Sequence, residues 1–158
     1  MARNDYYNDP SAPAATSIVV AVTAFVQDEH GRLLMIQRTD NDLWSIPGGA
    51  QDIGETIGRT VAREVKEETG IDVEPTSIIG VYTDPRHVIE YTSDGEVRQE
   101  FSICFRATPI GGQLATSSES KRVHWVERER LPELTIHPSI RLRIDHGFQR
   151  RSEPYFSY

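Results

Sequence analysis

The sequence contains a single cysteine, Cys104, so no intramolecular disulfide can form. It has no apolar run near the roughly 18 residues that a membrane-spanning helix needs. Residues 1–17, MARNDYYNDPSAPAATS, lack the apolar segment of a secretory signal. We therefore expect a cytoplasmic protein without a membrane partner. Cys104 lies in the apolar run Phe101 to Phe105, where we expect it to pack in a strand rather than to react.

Basic residues are also scarce, with 17 Lys and Arg against 24 Asp and Glu and a formal net charge of −7. A surface that follows a nucleic acid backbone needs a net basic stripe, so we expect no nucleic acid partner. A small anionic substrate is still compatible with this charge. Carboxylates that gather divalent cations become locally positive toward phosphate once they are loaded.

A length of 158 residues suits one domain with a true core. Residues 1–15 predict an irregular N-terminal arm, residues 16–150 the folded domain, and residues 151–158 a C-terminal tail. In the arm, Tyr6 and Tyr7 are interpreted as a contact that tethers it to the domain, with a lid or a subunit contact as the alternatives.

Apolar β-branched runs and turn residues predict the elements of this domain. A first hairpin is predicted from residues 16–26 and 33–37, and a second from 88–92 and 97–107. Further strands are predicted at residues 77–82 and 123–126, a turn at 109–112, and helices at 127–134 and 138–149. Strands on both sides of a helix in the chain indicate an α/β domain whose mixed sheet is covered by helices.

One stretch, residues 49–71 (GAQDIGETIGRTVAREVKEETGI), carries most of the chemical signal. Thr56 can cap the start of a helix, and Gly70 suits a left-handed cap at its end. The apolar residues recur every four positions and predict a buried stripe: Ile57, Val61 and Val65. At about 100° per residue, three carboxylates fall within an arc of about 100° beside that stripe: Glu64, Glu67 and Glu68.

Three carboxylates on one helical edge repel each other unless a cation lies between them. Mg²⁺ takes such oxygen ligands and shares its shell with substrate phosphates, so we expect Glu64, Glu67 and Glu68 to bind Mg²⁺, with Mn²⁺ as an alternative ion. The competing interpretation is a solvated acidic helix face.

The fixed positions of the stretch are Gly49, Glu55, Arg63-Glu64-Val65, Glu67-Glu68 and Gly70-Ile71. Average residue frequencies put a chance match at roughly one in a billion per starting position. The chain resembles the Nudix hydrolases at every fixed position of their Nudix box. The resemblance implies the Nudix fold, an α/β/α sandwich with a central mixed sheet. It also implies hydrolysis of a diphosphate bond in a nucleoside diphosphate linked to another moiety.

The resemblance assigns roles within the box. The arginine at the position of Arg63 orients a glutamate and braces the loop against the helix, here with Glu55 or Glu67 as its partner. An ordinary surface ion pair with Glu67 is the alternative. Glu55 is interpreted as structural, with a distant metal ligand as the alternative. Gly49 and Gly70 have geometric roles, in the tight loop before the helix and in the cap after it.

The general base stays open between two residues. Glu64 occupies a box position that is often a metal ligand in the family and is sometimes credited with activating water. Glu119 lies six residues before Trp125, an offset at which some family members carry a metal-binding or basic glutamate on a loop. A solvated loop residue is the alternative for Glu119, and Glu100 and Glu90 are weaker candidates.

Substrate contacts are expected outside the box, because aromatic faces stack on bases and arginine forks match phosphate oxygens. The candidates are Arg38, Trp44, Arg86 and His87. Trp44 has an alternative role in the core, and His87 one as a surface loop residue.

Among substrates, ADP-ribose or a similar compound is favoured slightly. Some family members that cleave it carry a proline at a distance after the box that is close to the distance between Ile71 and Pro85. The alternatives are a nucleotide-sanitising triphosphate pyrophosphatase and, outside enzymes, a nucleotide-sensing domain. The resemblance also implies a homodimer.

Overall fold

The computed structural model describes residues 2–158, so that Met1 of the predicted arm lies outside the described residues. The helices are α1 (Ile57–Thr69), a 3-10 helix at Arg128–Glu133 and α2 (Pro138–Gln149). The strands are β1 (Arg3–Tyr7), β2 (Ser17–Val26), β3 (Leu33–Arg38), β4 (Trp44–Ser45), β5 (Gly48–Ala50), β6 (Ile71–Tyr82), β7 (His87–Tyr91), β8 (Val97–Gly112), β9 (Ser120–Val126) and β10 (Tyr155–Phe156). No helix of residues 2–158 combines the length and apolar character of a membrane span.

The larger sheet is mixed and is built around the long strand β8. On one edge β8 pairs in parallel with β2, which pairs antiparallel with β5. On its other edge β8 pairs antiparallel with β7 near its start and with β6 further on. A second sheet has the order β4-β3-β9. The mixed central sheet and the α/β class agree with the prediction.

Strands β2 and β3 separate two hydrophobic cores because successive strand side chains point to opposite faces. In β3, Leu33 and Met35 enter the core beside α2, whereas Leu34 and Ile36 enter the core beside α1. All four side chains are at most 1% exposed, which explains why β3 has a continuous apolar sequence. Cys104 is fully buried in the α2 core, as its apolar surroundings predicted.

The predicted hairpin of residues 16–26 and 33–37 is wrong. After the turn at residues 28–31 the chain passes into the second sheet, and β2 and β3 share only the bridge between Gln27 and Leu33. The apolar pattern identified both strands but not their partners, because pairing is set by tertiary contacts. The second predicted hairpin, β7 with β8, is confirmed.

The N-terminal arm is not irregular throughout, because Arg3–Tyr7 forms the edge strand β1 along β7. Tyr6 and Tyr7 do tether it: the Tyr6 hydroxyl donates to Glu90 Oε2 at 3.1 Å, and the Tyr7 ring packs edge-on against His87 at 5.3 Å. The tail also contributes a short strand, β10, parallel to β6.

Other boundaries shift where the sequence signal is weak. Strand β6 begins at Ile71 rather than at residue 77, and β8 continues through the predicted turn to Gly112. The predicted helix at residues 127–134 is the 3-10 helix. Helix α2 has the predicted bounds and buries Ile144, together with Arg143, which the apolar pattern did not indicate.

Candidate active site

Helix α1 is fixed at both ends by the residues that the sequence indicated. The Thr56 hydroxyl accepts a hydrogen bond from the Arg59 N–H at 3.3 Å, and Gly70 has the left-handed φ of 78°. A Cβ at Gly70 would lie 2.2 Å from the Gln113 carbonyl oxygen, so the packing as well as the dihedral angle requires glycine. These two caps fix where α1 begins and ends, and its polar edge packs against the glycine loop that contains β5.

Arg63 connects that loop to the helix. Its Nε donates to Glu55 Oε1 at 2.5 Å and its Nη2 donates to Glu55 Oε2 at 3.0 Å, a two-pronged pair. The same Nη2 donates to the Ala50 carbonyl at 3.0 Å. Hydrogen bonds from Arg63 hold the pKa of Glu55 down at about 2. Glu55 thus lies in the bracing position that the sequence predicted for a partner of Arg63.

Arg63 also holds two carboxylates of the helical edge. Its Nη1 donates to Glu64 Oε1 at 2.8 Å and to Glu67 Oε2 at 3.3 Å. The Glu64 carboxylate lies so close to the loop that a Cβ at Gly49 would be 2.4 Å from it. Gly49 therefore makes room for Glu64, in addition to its predicted place in the tight loop before the helix.

Glu68 is the most deeply buried of the three helical carboxylates, at 5% exposure. Burial raises the pKa of Glu68 to about 8, and the negative charges of Glu64 and Glu119 act in the same direction. The Gly48 N–H donates to Glu68 Oε1 at 3.1 Å and opposes that rise. Burial likewise raises the pKa of Glu64 above its ordinary value. A cation beside these carboxylates would offset the cost of ionising them.

Glu119 reaches this cluster from the loop before β9. Its backbone carbonyl accepts from the Thr39 N–H at 3.0 Å, and the hydroxyl of the next residue, Ser120, donates to the Glu68 carbonyl at 2.5 Å. The exposed Glu119 carboxylate is close enough that its charge adds to the rise in the pKa of Glu64 and of Glu68. The loop thus brings to the site a fourth acidic group.

The chemistry of this donor set fits a hard divalent cation. The negative charges of Glu64 and Glu119 add to the cost of ionising the buried Glu68, which is the electrostatic problem that a cation solves. Glu64, Glu67 and Glu68 are not drawn into one tight cluster, however. Among residues 2–158, the one group of three potential ligands with donor atoms within 4.8 Å of one another is Asp5, His87 and His137.

The Asp5, His87 and His137 group is held by hydrogen bonds rather than arranged for a metal. His87 Nε2 lies 2.7 Å from Asp5 Oδ1. The Ser139 N–H donates to His137 Nδ1 at 3.2 Å, so in neutral His137 the proton is on Nε2, which faces Asp5 at 3.5 Å. Burial lowers the pKa of His137, which favours that neutral form. A protonated nitrogen cannot ligate a metal.

A cleft with a volume of about 160 Å³ extends from Glu68 to this histidine group. Three of the four predicted substrate contacts line it: Arg38, Trp44 and His87. Trp44 is 9% exposed and belongs to the α2 core, which is the alternative role considered for it, and its contact with substrate stays a prediction. His87 is buried at the start of β7 and is not a surface loop residue. Arg86 does not line this cleft; it is exposed and pairs with Asp84 at 2.9 Å.

Sequence reasoning missed several lining residues of the cleft, which are Asp5, Ser102, His137 and Arg143, and it considered Glu100, which also lines the cleft, only as a weaker candidate for the base. Asp5 and His137 come together only through β1 and the start of α2, which are more than 130 positions apart in the sequence. The one sequence signal for the burial of Arg143 was the imperfect spacing of apolar residues in α2. A buried arginine interrupts the apolar stripe of that helix.

The glycine loop, the capped carboxylate helix and the adjoining cleft on an α/β scaffold define the site of a hydrolase that acts on phosphate anhydrides. The NUDIX domain model matches residues 18–146. The chain belongs to the Nudix family and is a Nudix hydrolase.

Three relatives illustrate the range of names within this similarity. A "MutT-like protein" of Streptomyces ambofaciens is 43% identical over 114 residues, covering 72% of this chain and 67% of the relative. An "ADP-ribose pyrophosphatase" of Methanocaldococcus jannaschii is 34% identical, covering 74% and 66%. A "Putative 8-oxo-dGTP diphosphatase" of Bacillus subtilis is 33% identical, covering 68% and 65%. The chain thus spans about two thirds of the length of these curated relatives.

The solved structure of a MutT protein from Methanosarcina mazei Go1 superimposes with a TM-score of 0.69 at 26% identity, covering 87% of this chain and 98% of that one. This likeness supports the fold and the position of the carboxylate helix within it.

Proposed function

We propose that this protein hydrolyses the diphosphate bond of a nucleoside diphosphate derivative, with ADP-ribose or a similar compound as the favoured substrate, in the presence of Mg²⁺ or Mn²⁺. The observation that carries the proposal is the buried carboxylate of Glu68, with a pKa of about 8, beside the charges of Glu64 and Glu119. Such a group is costly in a folded protein unless it binds something positive. The name of the relative from M. jannaschii supports the substrate class.

Glu64, Glu67 and Glu68 are the residues that would hold the cation. When bound, such an ion neutralises phosphate oxygens and lowers the pKa of water. Arg63 is a positioning residue: it fixes Glu64 by one nitrogen and ties the Ala50 carbonyl and Glu55 by the others. The glycine loop, through the Gly48 N–H, sets the direction of the Glu68 carboxylate.

The proton of the attacking water passes to a carboxylate, for which we favour Glu119 over Glu64. The Glu64 Oε1 atom is occupied by Arg63, whereas the Glu119 side chain is exposed at the edge of the cluster. Phosphoryl transfer requires little covalent help from the protein, so placement and charge carry most of the effect. Hydrolysis of ADP-ribose would consume one water and release AMP and ribose 5-phosphate.

A second candidate is the removal of oxidised purine nucleotides. The relatives named MutT-like and putative 8-oxo-dGTP diphosphatase favour it. The two candidates differ in the leaving group but use the same carboxylates.

The test is a panel of ADP-ribose, other nucleoside diphosphate derivatives and 8-oxo-dGTP, assayed with Mg²⁺, with Mn²⁺ and with EDTA. We expect turnover of at least one compound that EDTA abolishes, with products identified by mass spectrometry. The Glu68→Gln variant should be inactive, while its circular dichroism spectrum should show that it is folded. Absence of any turnover by the folded wild-type protein would contradict the proposal and favour a nucleotide-sensing role.

A further inference from the structure

The buried polar atoms that lack a partner are concentrated in one place. Among residues 2–158, the buried side-chain nitrogen and oxygen atoms without a hydrogen bond are Arg3 Nε, Thr23 Oγ1, Ser102 Oγ, Arg143 Nε and Arg143 Nη2. All four of these residues line the cleft that begins at Glu68. Unpaired buried polar groups destabilise a folded protein, so they indicate a ligand that pairs with them.

Arg143 is the strongest of these features. Its side chain is 3% exposed, and its guanidinium carbon lies over the Tyr82 ring, 5.1 Å from the ring centre. The nearest carboxylate oxygen, Glu100 Oε1, is 3.7 Å from Nη2 and thus beyond hydrogen-bond distance. Two donors of a buried arginine therefore remain available at the cleft wall.

The charges at this end of the cleft are balanced. Arg3 and Arg143 are positive, Asp5 and Glu100 are negative, and a further lining arginine, Arg98, is paired with Glu96 at 2.8 Å. A second phosphate at this end would be repelled by both carboxylates. A neutral group with neighbouring donors and acceptors would instead pair with the carboxylates and with the arginines. Apolar side chains line the same cleft and suit the face of a flat ring: Val22, Ile89 and Ile140.

We propose that Arg143 and Glu100 form the base subsite of this enzyme and select a purine that carries a 6-amino or 6-oxo group. Arg143 donates to an acceptor on the edge of the base, and Glu100 accepts from the adjacent donor. Adenine offers N1 beside its N6 amino group, and guanine offers O6 beside its N1–H. The proposal rests on the proposed function, because the diphosphate would lie at the Glu68 end of the same cleft.

Binding of nucleoside 5′-monophosphates tests the subsite without turnover. The probes are AMP, GMP and the monophosphate of the unsubstituted purine ribonucleoside, each titrated into the full chain with EDTA in a calorimeter. A site built for the 6-substituent rejects the analogue that lacks it, so we expect wild type to prefer AMP or GMP by about tenfold or more. Arg143 would donate to an acceptor that all three probes offer, so Arg143→Gln should weaken all three by a similar factor. Glu100→Leu should reduce the preference to about threefold or less, because Glu100 would accept from the donor that the analogue lacks.

Arg141→Gln is the matched control. Arg141 lies on the same helix, and its guanidinium donates to the Leu134 carbonyl at 3.1 Å, so this variant should keep all three affinities. If Arg143→Gln does not fold, Glu100→Leu still tests the proposal, because the Glu100 side chain is 16% exposed and lies on β8. Leucine is used because a glutamine oxygen would still accept a hydrogen bond from the base.

The proposal is overturned if wild type shows no preference, if Glu100→Leu weakens all three probes equally, as a purely structural role would, or if Arg143→Gln leaves all three affinities unchanged. Failure of the proposed function is a separate result. If the substrate panel showed no hydrolysis of any diphosphate, the base preference could still be measured by calorimetry.

Discussion

Arg63 and Glu55 form a two-pronged ion pair that joins helix α1 to the glycine loop, with Nε and Oε1 at 2.5 Å and Nη2 and Oε2 at 3.0 Å. Because the remaining donors of Arg63 reach Glu64 and the Ala50 carbonyl, this pair sets the geometry of loop and carboxylates together. A single residue thus determines how the site is assembled.

Replacing Arg63 by lysine should therefore impair catalysis more than folding. Lysine keeps the charge but cannot contact Glu55, Glu64 and the Ala50 carbonyl at once. Displacement of a catalytic group by about 1 Å costs on the order of 100-fold in rate, and we expect a fall in kcat of that size in steady-state assays. Arg59→Lys, an exposed change on the same helix, should leave kcat unaltered. Equal activity of both variants would show that Arg63 is an ordinary surface residue.

Glu68 should make the cation-free protein less stable as the pH rises. Its folded pKa of about 8 is above the ordinary value of 4.5, so the folded state retains a proton that the unfolded chain loses. The stability associated with that proton is complete below about pH 4.5 and is lost as the pH rises to about 8, by a few kcal/mol in order of magnitude.

Chemical denaturation of wild type and Glu68→Gln in EDTA between pH 5 and 9 measures this effect. The difference between the two free energies of unfolding should shift in favour of the variant as the pH rises. A difference that stays constant with pH would show that Glu68 is not the titrating group.

The parts of the site that lie close together in sequence were predictable, and those assembled over long distances were not. Thr56 and Gly70 mark the ends of α1 because capping is local chemistry. The pairing of β2 with β8 instead of β3 depends on contacts about 80 residues apart, which no local pattern encodes.

Arg143 and the arm illustrate the same limit. Burial of Arg143 follows from how α2 lies on the cleft wall, and an arginine in a helix is ordinarily interpreted as exposed. Residues 3–7 form a strand because β7 offers a free edge, although their own composition is typical of irregular chain.

Gly49→Ala should reduce activity with little loss of overall fold. The new Cβ would lie 2.4 Å from the Glu64 carboxyl carbon, so that side chain must move away from the loop. We expect kcat to fall by about tenfold or more while far-ultraviolet circular dichroism stays unchanged.

Gly58→Ala is the control for that change. Gly58 lies in helix α1, and a Cβ there would be 3.7 Å from the Pro75 side chain, an ordinary contact. Replacing this helical glycine by alanine should raise the free energy of unfolding by about 0.5–1 kcal/mol without loss of activity. If Gly49→Ala were as active as Gly58→Ala, the close approach of Glu64 would have no catalytic meaning.

Glu119→Gln separates the two candidates for the general base. If Glu119 accepts the proton of the attacking water, kcat should fall by about 100-fold or more, and the acid limb of the pH–rate profile should disappear. Its charge also contributes to the raised pKa of Glu64 and of Glu68, so the variant should move the titration of both toward lower pH, which carbon NMR of the labelled carboxyls can follow. Ser118→Ala, a neighbouring exposed change, should alter neither property. A variant that shifts these titrations but keeps full kcat would place Glu119 in the cluster only as a charge and would assign the base role to Glu64.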